Sequence, residues 1–157
     1  MIEIGSSRYY NSDMSNKQIS EDFILCDICS QILELDHSIR FEGFANNMGK
    51  IIAAQYRNRL DPLLTVDESV LSFIESVFRM STRKDMRSKL GKPIYSCTLY
   101  EKVKRATILL DNKDHPILMV SFDSDISGID HDSIIMNGIL PLATFFLSSS
   151  EAISHNR

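Results

Sequence analysis

The chain has 157 residues, 43% of them hydrophobic, and a formal net charge of −4 at pH 7. This length predicts one domain that folds without a metal or disulfide staple, and the longest apolar run, residues 134–147, is too short and too interrupted to cross a bilayer. The first residues lack the basic start and apolar stretch of a secretory signal, and three cysteines cannot all pair, so we expect a cytoplasmic protein with reduced thiols.

The chain is expected to begin with a loose arm followed by a helix. Residues 1–18 are rich in Ser, Asn and charge and show little periodicity. Ser20 is the expected N-cap of a first helix, because apolar residues then recur at steps of three and four as far as Leu35. We therefore place a single domain at residues 19–148 and predict a disordered tail at residues 149–157.

Two strands joined by a tight turn are predicted after this helix. Alternating residues from Ile39 onward favour one strand, and residues 51–56 favour a second. The joint between them, residues 46–49, reads Asn-Asn-Met-Gly, and such residues tolerate the positive φ angles of a hairpin turn. A phosphate-binding loop would need more glycine and a following helix, so the hairpin is the favoured interpretation.

The second predicted helix begins with a capping box, Thr65 at the N-cap and Glu68 three residues later. Its apolar stripe runs through residues 66–80, and a second capping signal near Asp85 predicts a kink or restart before Leu90. Gly91 is the expected stop.

Three more strands and a last helix complete the predicted domain. The strands cover residues 94–100, 103–110 and 117–122, joined by short turns, so a meander is the simplest arrangement. The last helix starts after Asp130 and carries almost all-round apolar residues, with a bend expected at Pro141. The sequence thus predicts an α+β fold with a central five-stranded antiparallel sheet, in the order α-β-β-α-β-β-β-α.

This order resembles the roadblock family (dynein light chain type) and, more broadly, the profilin-like sheets of PAS and GAF domains. The segments SIRFEGFANNMGKIIAAQYR and FRMSTRKDMRSKLGKPIYSCTLYEKVKRATI resemble a family of uncharacterised small proteins from ammonia-oxidising archaea. The first resemblance implies the fold and pairing through strand edges and helices. The second implies an archaeal source and transfers no site.

Cys26 and Cys29 form a Cys-x-x-Cys spacing that could lower a thiol pKa or supply half of a zinc site. No second ligand pair of suitable spacing accompanies them, and the pair falls within an apolar-striped helix with no strand before it. Packing residues are the favoured interpretation, while metal and redox roles stay open.

Residues 123–130 imitate the first half of a calcium loop, with Asp123, Asp125, Ser127 and Gly128 at suitable spacing. The bidentate acid that should follow at the twelfth position is replaced by Ile134. The favoured interpretation is structural, with Asp123 ending a strand and an N-cap at the start of the last helix.

A basic cluster is the strongest charge feature, because residues 79–105 carry nine Lys or Arg against two acids. If these cations are neighbours in space, they form a positive patch that could bind phosphates, an anionic membrane surface or an acidic partner protein. A solvent-exposed helix face with cations near its C-terminus explains much of the same pattern. A pI near 5.5 and the lack of Trp argue against nucleic acid. The cluster comprises Arg79, Arg83, Lys84, Arg87, Lys89, Lys92, Lys102, Lys104 and Arg105.

The sequence contains no nucleophile elbow, HExxH, P-loop or Rossmann motif, and its four histidines suggest no triad. We therefore predict no catalytic residue, no metal site and no cofactor. The leading hypothesis is a non-catalytic regulatory or scaffolding module that acts through homodimerisation or partner-protein binding. The alternative is a small-molecule sensor with a hollow against its sheet, as in PAS and GAF domains.

Overall fold

The computed structural model describes residues 16–114, 116–124 and 128–154, with side chains given from residue 23 to residue 148 except Lys84. The helices and strands follow the predicted order. They are α1 (Asn16–Leu35), β1 (Ile39–Ala45), β2 (Ile51–Tyr56), α2 (Val66–Thr82), α3 (Arg87–Leu90), β3 (Tyr95–Leu99), β4 (Val103–Leu109), β5 (Ile117–Asp123), α4 (His131–Ile134) and α5 (Leu140–Ser154).

The five strands form one antiparallel sheet in the order β2-β1-β5-β4-β3. Strands β3, β4 and β5 form the predicted meander, and β5 pairs with β1 at the centre of the sheet. The predicted α+β fold class with a central five-stranded antiparallel sheet is therefore confirmed.

The turn at residues 46–49 is the corner of the β1–β2 hairpin, as predicted. The Oδ1 of Asn46 accepts hydrogen bonds from the backbone N–H groups of Met48 and Lys50, at 2.9 and 3.0 Å. Gly49 has a φ of +81°, and a Cβ at this position would lie 2.7 Å from the Cα of Ile74 on α2. The glycine therefore lets the hairpin approach the second helix closely.

The cap predicted for α2 is present in full. The Oγ1 of Thr65 accepts from the Glu68 N–H at 3.3 Å, and the Glu68 carboxylate accepts from the Thr65 N–H at 2.8 Å. The restart predicted near Asp85 takes the form of a 3₁₀ turn, Arg83–Met86, before α3. Gly91, with a φ of +81°, ends the helical segment as expected.

Two boundaries differ from those predicted. Helix α1 begins at Asn16, so the prediction of Ser20 as its N-cap is wrong; no proline or glycine between residues 16 and 20 prevents the helix from starting earlier. Residues 1–15 of the predicted arm lie outside the described residues. Helix α5 continues to Ser154, into the segment that was expected to be a tail. Residues 155–157 lie outside the described residues.

The last helical segment is irregular just before Pro141. It starts at Asp130, whose carboxylate accepts from the Ser133 N–H at 3.0 Å, as the structural interpretation of this segment predicted. A π turn, Ile135–Ile139, separates α4 from α5, and the Leu140 N–H bonds to the carbonyl of Ile135 five residues back. Because proline lacks an N–H, a local change of helix type is a common way to accommodate it.

The two faces of the sheet are covered unequally. Helices α1, α4 and α5 pack on one face over a large apolar core that includes Ile32, Phe44 and Phe122. Helix α2 lies on the other face, where a smaller core gathers around Phe41 and Phe73. Helix α2 leaves part of this second face uncovered near β3 and β4, and the cavity described below opens there.

Candidate functional site

Exposed apolar side chains concentrate on the outer face of α2, the turn after it and β3. Phe78 is 70% exposed and Leu90 82%. We call this region the α2–β3 surface; its large exposed apolar residues are Val70, Leu71, Ile74, Phe78, Met86, Leu90, Ile94 and Tyr100. Leu99 of β3 is also exposed, but it pairs with Lys104 and so points to the opposite face of the sheet. Apolar side chains gathered on one side of a soluble domain are typical of an interaction surface.

Strand β3 adds an open edge to the α2–β3 surface. The bonds from Tyr100 N–H to Val103 and from Leu109 N–H to Ile94 fix the register, so the even-numbered residues 94 to 100 bond to β4. The backbone groups of Tyr95, Cys97 and Leu99 therefore point away from β4, where no other strand of the described chain lies. Such an edge can accept a strand from a second chain.

A cavity of about 590 Å³ opens between α2 and the sheet, on the same face as α2. Its lining includes an aromatic cluster, in which the centroid of the Phe41 ring lies 4.6 Å from the centroid of the Tyr56 ring and 6.1 Å from that of the Phe73 ring. Leu63, Leu64, Leu71, Tyr100 and Val103 continue this apolar lining. The volume and the character of the walls are those of a small-molecule site.

Arg105 of β4 brings a positive charge to the cavity. Its Nη1 donates to the Ser72 hydroxyl at 2.5 Å, and its Nη2 donates to the sulfur of Met119. No carboxylate of the described residues lies within ion-pair distance of this guanidinium, and burial lowers the pKa of Arg105 from its usual value. Glu75 attracts this guanidinium from beyond ion-pair distance, and a partly buried cation without a direct ion pair favours an anion nearby.

Ser69 is a second polar residue beside the cavity, but its hydroxyl is not accessible from it. Ser69 is 4% exposed and its Oγ has no hydrogen-bond partner among the described residues. It lies one helical step from Ser72 on α2, and both residues line the cavity. Because this Oγ has almost no accessible surface, a molecule in the cavity would not reach it, and the unpaired hydroxyl is a cost in stability rather than a ligand contact.

Asp123, the first acid of the calcium-like segment, is held by two arginines beside the cavity. Its oxygens accept from Arg40 at 2.5 Å and from Arg57 at 3.0 Å. Burial would raise the pKa of Asp123, but the two arginine hydrogen bonds outweigh burial and lower it below the usual value. Since this carboxylate is already neutralised, the structural interpretation of the segment is favoured over a calcium loop; residues 125–127 lie outside the described residues.

The members of the predicted basic cluster do not share one face. Lys104 and Arg105 are neighbours on β4, so their side chains point to opposite faces of the sheet. Lys104 lies 3.4 Å from Asp132 of α4, while Arg105 bonds to Ser72 of α2. The sheet therefore separates two residues that the sequence grouped together.

The remaining cations surround the end of α2 and the following turns. Arg79 lies 3.9 Å from Glu75, Lys92 forms an ion pair with Asp111, and Lys102 lines the cavity. Arg83, Arg87 and Lys89 are exposed near the end of α2, and the Lys84 side chain lies outside the described residues. An interaction role for this cluster stays a prediction.

Cys26 and Cys29 are both buried inside α1, and Cys29 faces the carboxyl group of Glu42 on β1. Burial, followed by the nearby Glu42 charge, raises the pKa of the Cys29 thiol well above its usual value. A protonated, inaccessible thiol is a poor nucleophile and a poor metal ligand, which supports the packing interpretation. The described residues contain no group of three potential metal ligands.

Glu42 is a residue that sequence reasoning missed. It is wholly buried in the α1 side of the sheet, its oxygens have no hydrogen bond of ordinary geometry, and burial raises its pKa to about 8. An acid inside the apolar strand segment IRFEGFA was the available signal. Ser69 was also missed, because nothing in the sequence distinguishes it from the other serines of α2.

None of the described helices has an apolar stretch long enough to span a membrane. No family model and no curated protein matches the chain. Solved structures of MglB share its fold, with TM-scores of 0.63: an MglB with a tetrameric arrangement (9% identity, 87% of this chain, 95% of that chain), gliding protein MglB from Thermus thermophilus (8%, 87%, 95%) and Myxococcus xanthus MglB (12%, 88%, 96%).

These similarities identify the class of fold. The chain has a roadblock-like fold of the kind seen in MglB, which confirms the fold that the first resemblance implied. The resemblance to archaeal proteins and the division into arm, domain and tail stay predictions.

Proposed function

We propose that the protein is a cytoplasmic, non-catalytic regulatory or scaffolding module that acts by binding partner proteins, beginning with a second copy of itself. The observation that carries this proposal is the α2–β3 surface, where exposed apolar side chains adjoin an open strand edge. Burying apolar area and pairing backbone groups in one contact gives both affinity and orientation.

Several further observations support self-association through this surface. Edge strands of an antiparallel sheet can pair about a two-fold axis, because each strand presents the same groups to its copy. The exposed face of α2 and its neighbouring turn would then lie beside the joined sheets. One of the MglB structures with the same fold is described as a tetrameric arrangement.

Replacing Phe78 by Glu tests this proposal. Phe78 is 70% exposed, so the substitution should leave the fold intact while placing a charge in the proposed interface. Sedimentation equilibrium at tens of micromolar should show a dimer for the wild type and a shift to monomer for Phe78→Glu.

The matched control is Phe23→Glu, since Phe23 is 61% exposed on α1, away from the α2–β3 surface. This variant should remain dimeric. A monomeric wild type at these concentrations would overturn the proposed self-association, and equal effects of the two substitutions would overturn its assignment to this surface.

A small-molecule sensor is the second candidate function. The observation in its favour is the cavity of about 590 Å³ between α2 and the sheet. Native mass spectrometry of the protein purified from its source would detect a retained small molecule, and ligand-free protein after gentle purification would count against this candidate.

A further inference from the structure

We propose that the cavity between α2 and the sheet binds a small amphipathic carboxylate, held at its charged end by Arg105 and Ser72 and at its apolar end by the aromatic cluster of Phe41 and Tyr56. This inference deepens the sensor function, on which it rests, and is independent of self-association.

Most of the charged side chains that line the cavity already have a partner or face solvent. Glu68 is engaged with the backbone of Thr65, Glu75 with Arg79, and Arg40 with Asp123. Glu101 and Lys102, of opposite charge, are exposed to solvent. Arg105 is left with a hydroxyl and a thioether sulfur as its partners. A carboxylate could replace the weakly accepting sulfur and form a charge-assisted hydrogen bond with the guanidinium.

Ser72 supplies a second donor for the same group. Its hydroxyl accepts from Arg105 and can still donate its own proton. A carboxylate is an acceptor with two oxygens, so it can bond to a guanidinium and to hydroxyl protons at once. Neutral ligands such as an alcohol would leave the Arg105 charge uncompensated.

The ligand should have an apolar body and a single charge. The walls are mainly aliphatic and aromatic, and the rings of Phe41, Tyr56 and Phe73 form one cluster in them. A phosphate ester would bring close to two negative charges near Glu68 and Glu75, which also line the cavity. A carboxylic acid with an alkyl or aromatic body therefore fits better than a phosphate.

The test compares decanoate with decanol, which has the same chain without the charge. Isothermal titration calorimetry should show that decanoate binds the wild-type protein more tightly than decanol by about tenfold or more, the usual scale for a hydrogen bond to a charged group. The substitution Arg105→Gln should remove this preference. The control Lys89→Gln removes an exposed cation that does not line the cavity and should keep this preference.

Equal binding of the two probes, or a preference retained in Arg105→Gln, would overturn the carboxylate inference while leaving the sensor function standing. Binding of neither probe would also overturn it, and a retained ligand in native mass spectrometry would then show that the sensor function survives. Should Arg105→Gln not fold, the wild-type comparison of the two probes decides, together with Ser72→Ala, which should weaken decanoate more than decanol.

Repeating the titration with Phe78→Glu separates the small molecule from a second copy of the chain as occupant. Phe78 does not line the cavity. The same decanoate affinity in this variant supports a site within one chain. Loss of decanoate binding when the dimer dissociates would show that the site needs both chains and would overturn its assignment to a single chain.

Discussion

At the scale of single residues, the buried carboxyl group of Glu42 gives the molecule a pH dependence. Burial raises its pKa to about 8, whereas the same group in an unfolded chain titrates near 4.5. Between these two values the folded protein holds a proton that the unfolded chain has released. The free energy of unfolding therefore falls as pH rises from about 4.5 to about 8, by at most about 1.4 kcal/mol per pH unit from this group.

The substitution Glu42→Gln removes this titration while keeping a similar shape. We expect chemical denaturation to give a flatter dependence of stability on pH for the variant, with a gain relative to wild type of about 1 to 3 kcal/mol at pH 8. Glu34→Gln, an exposed position on α1, is the control and should follow the wild type. Parallel pH curves for Glu42→Gln and wild type would contradict a charge penalty at this site.

At the scale of elements, the β1–β2 hairpin and α2 are joined at one close contact. A Cβ at Gly49 would lie 2.7 Å from the Cα of Ile74, a backbone atom that cannot move aside without shifting α2. Gly49→Ala should therefore lower the free energy of unfolding by about 3 kcal/mol or more, since a positive φ and a steric clash combine. Urea denaturation measures this loss.

Gly128→Ala serves as the comparison for Gly49→Ala. Gly128 also has a positive φ, +86°, but its added Cβ would meet nothing within 4 Å. This variant should lose only the conformational term, about 1 to 2 kcal/mol. Equal losses in the two variants would mean that the contact between the hairpin and α2 contributes nothing.

The elements were predictable from sequence because their signals are local. The turn at residues 46–49, the capping box at Thr65 and the stop at Gly91 each act within a few residues, and the structure contains all three. The α1 start was missed because a helix without a strong cap can begin at several positions. Strand periodicity could also have shown that Lys104 and Arg105 face opposite ways.

The candidate site was less accessible to sequence reasoning, since it depends on distances between elements. The cavity exists because α2 packs over Phe41 and Phe73 and leaves part of β4 uncovered, which no local pattern encodes. Arg105 was identified as one of nine cations, but its burial against Ser72 follows from that packing. The burial of Ser69 and Glu42 follows from the same packing.

At the scale of the whole molecule, the incompletely covered face and the open edge adjoin each other. Helices α1, α4 and α5 fill one face of the sheet, while the α2 face carries the cavity and the α2–β3 surface. A second copy paired at β3 would extend the sheet and lie beside the exposed residues of α2. Because the helices cover the α2 face of the sheet less completely than the other face, we expect assembly to occur on the α2 side, next to the β3 edge.

The register of such an assembly makes a final prediction. The backbone groups of Tyr95, Cys97 and Leu99 in β3 point away from β4 and are available to a second copy. A two-fold axis through Cys97 would pair Cys97 with its own copy and Tyr95 with Leu99 of the other chain, so that all three residues are paired. Directly opposed residues in such a hydrogen-bonded pair have Cα atoms about 5.5 Å apart, a separation that a disulfide can bridge. Mild oxidation with diamide should therefore give a covalent dimer on non-reducing gels, absent in Cys97→Ser and retained in Cys26→Ser, whose thiol is buried. Cross-linking that is equally fast in Phe78→Glu would indicate random collision of exposed thiols and would exclude this register, because a pre-formed pair must dissociate with the interface.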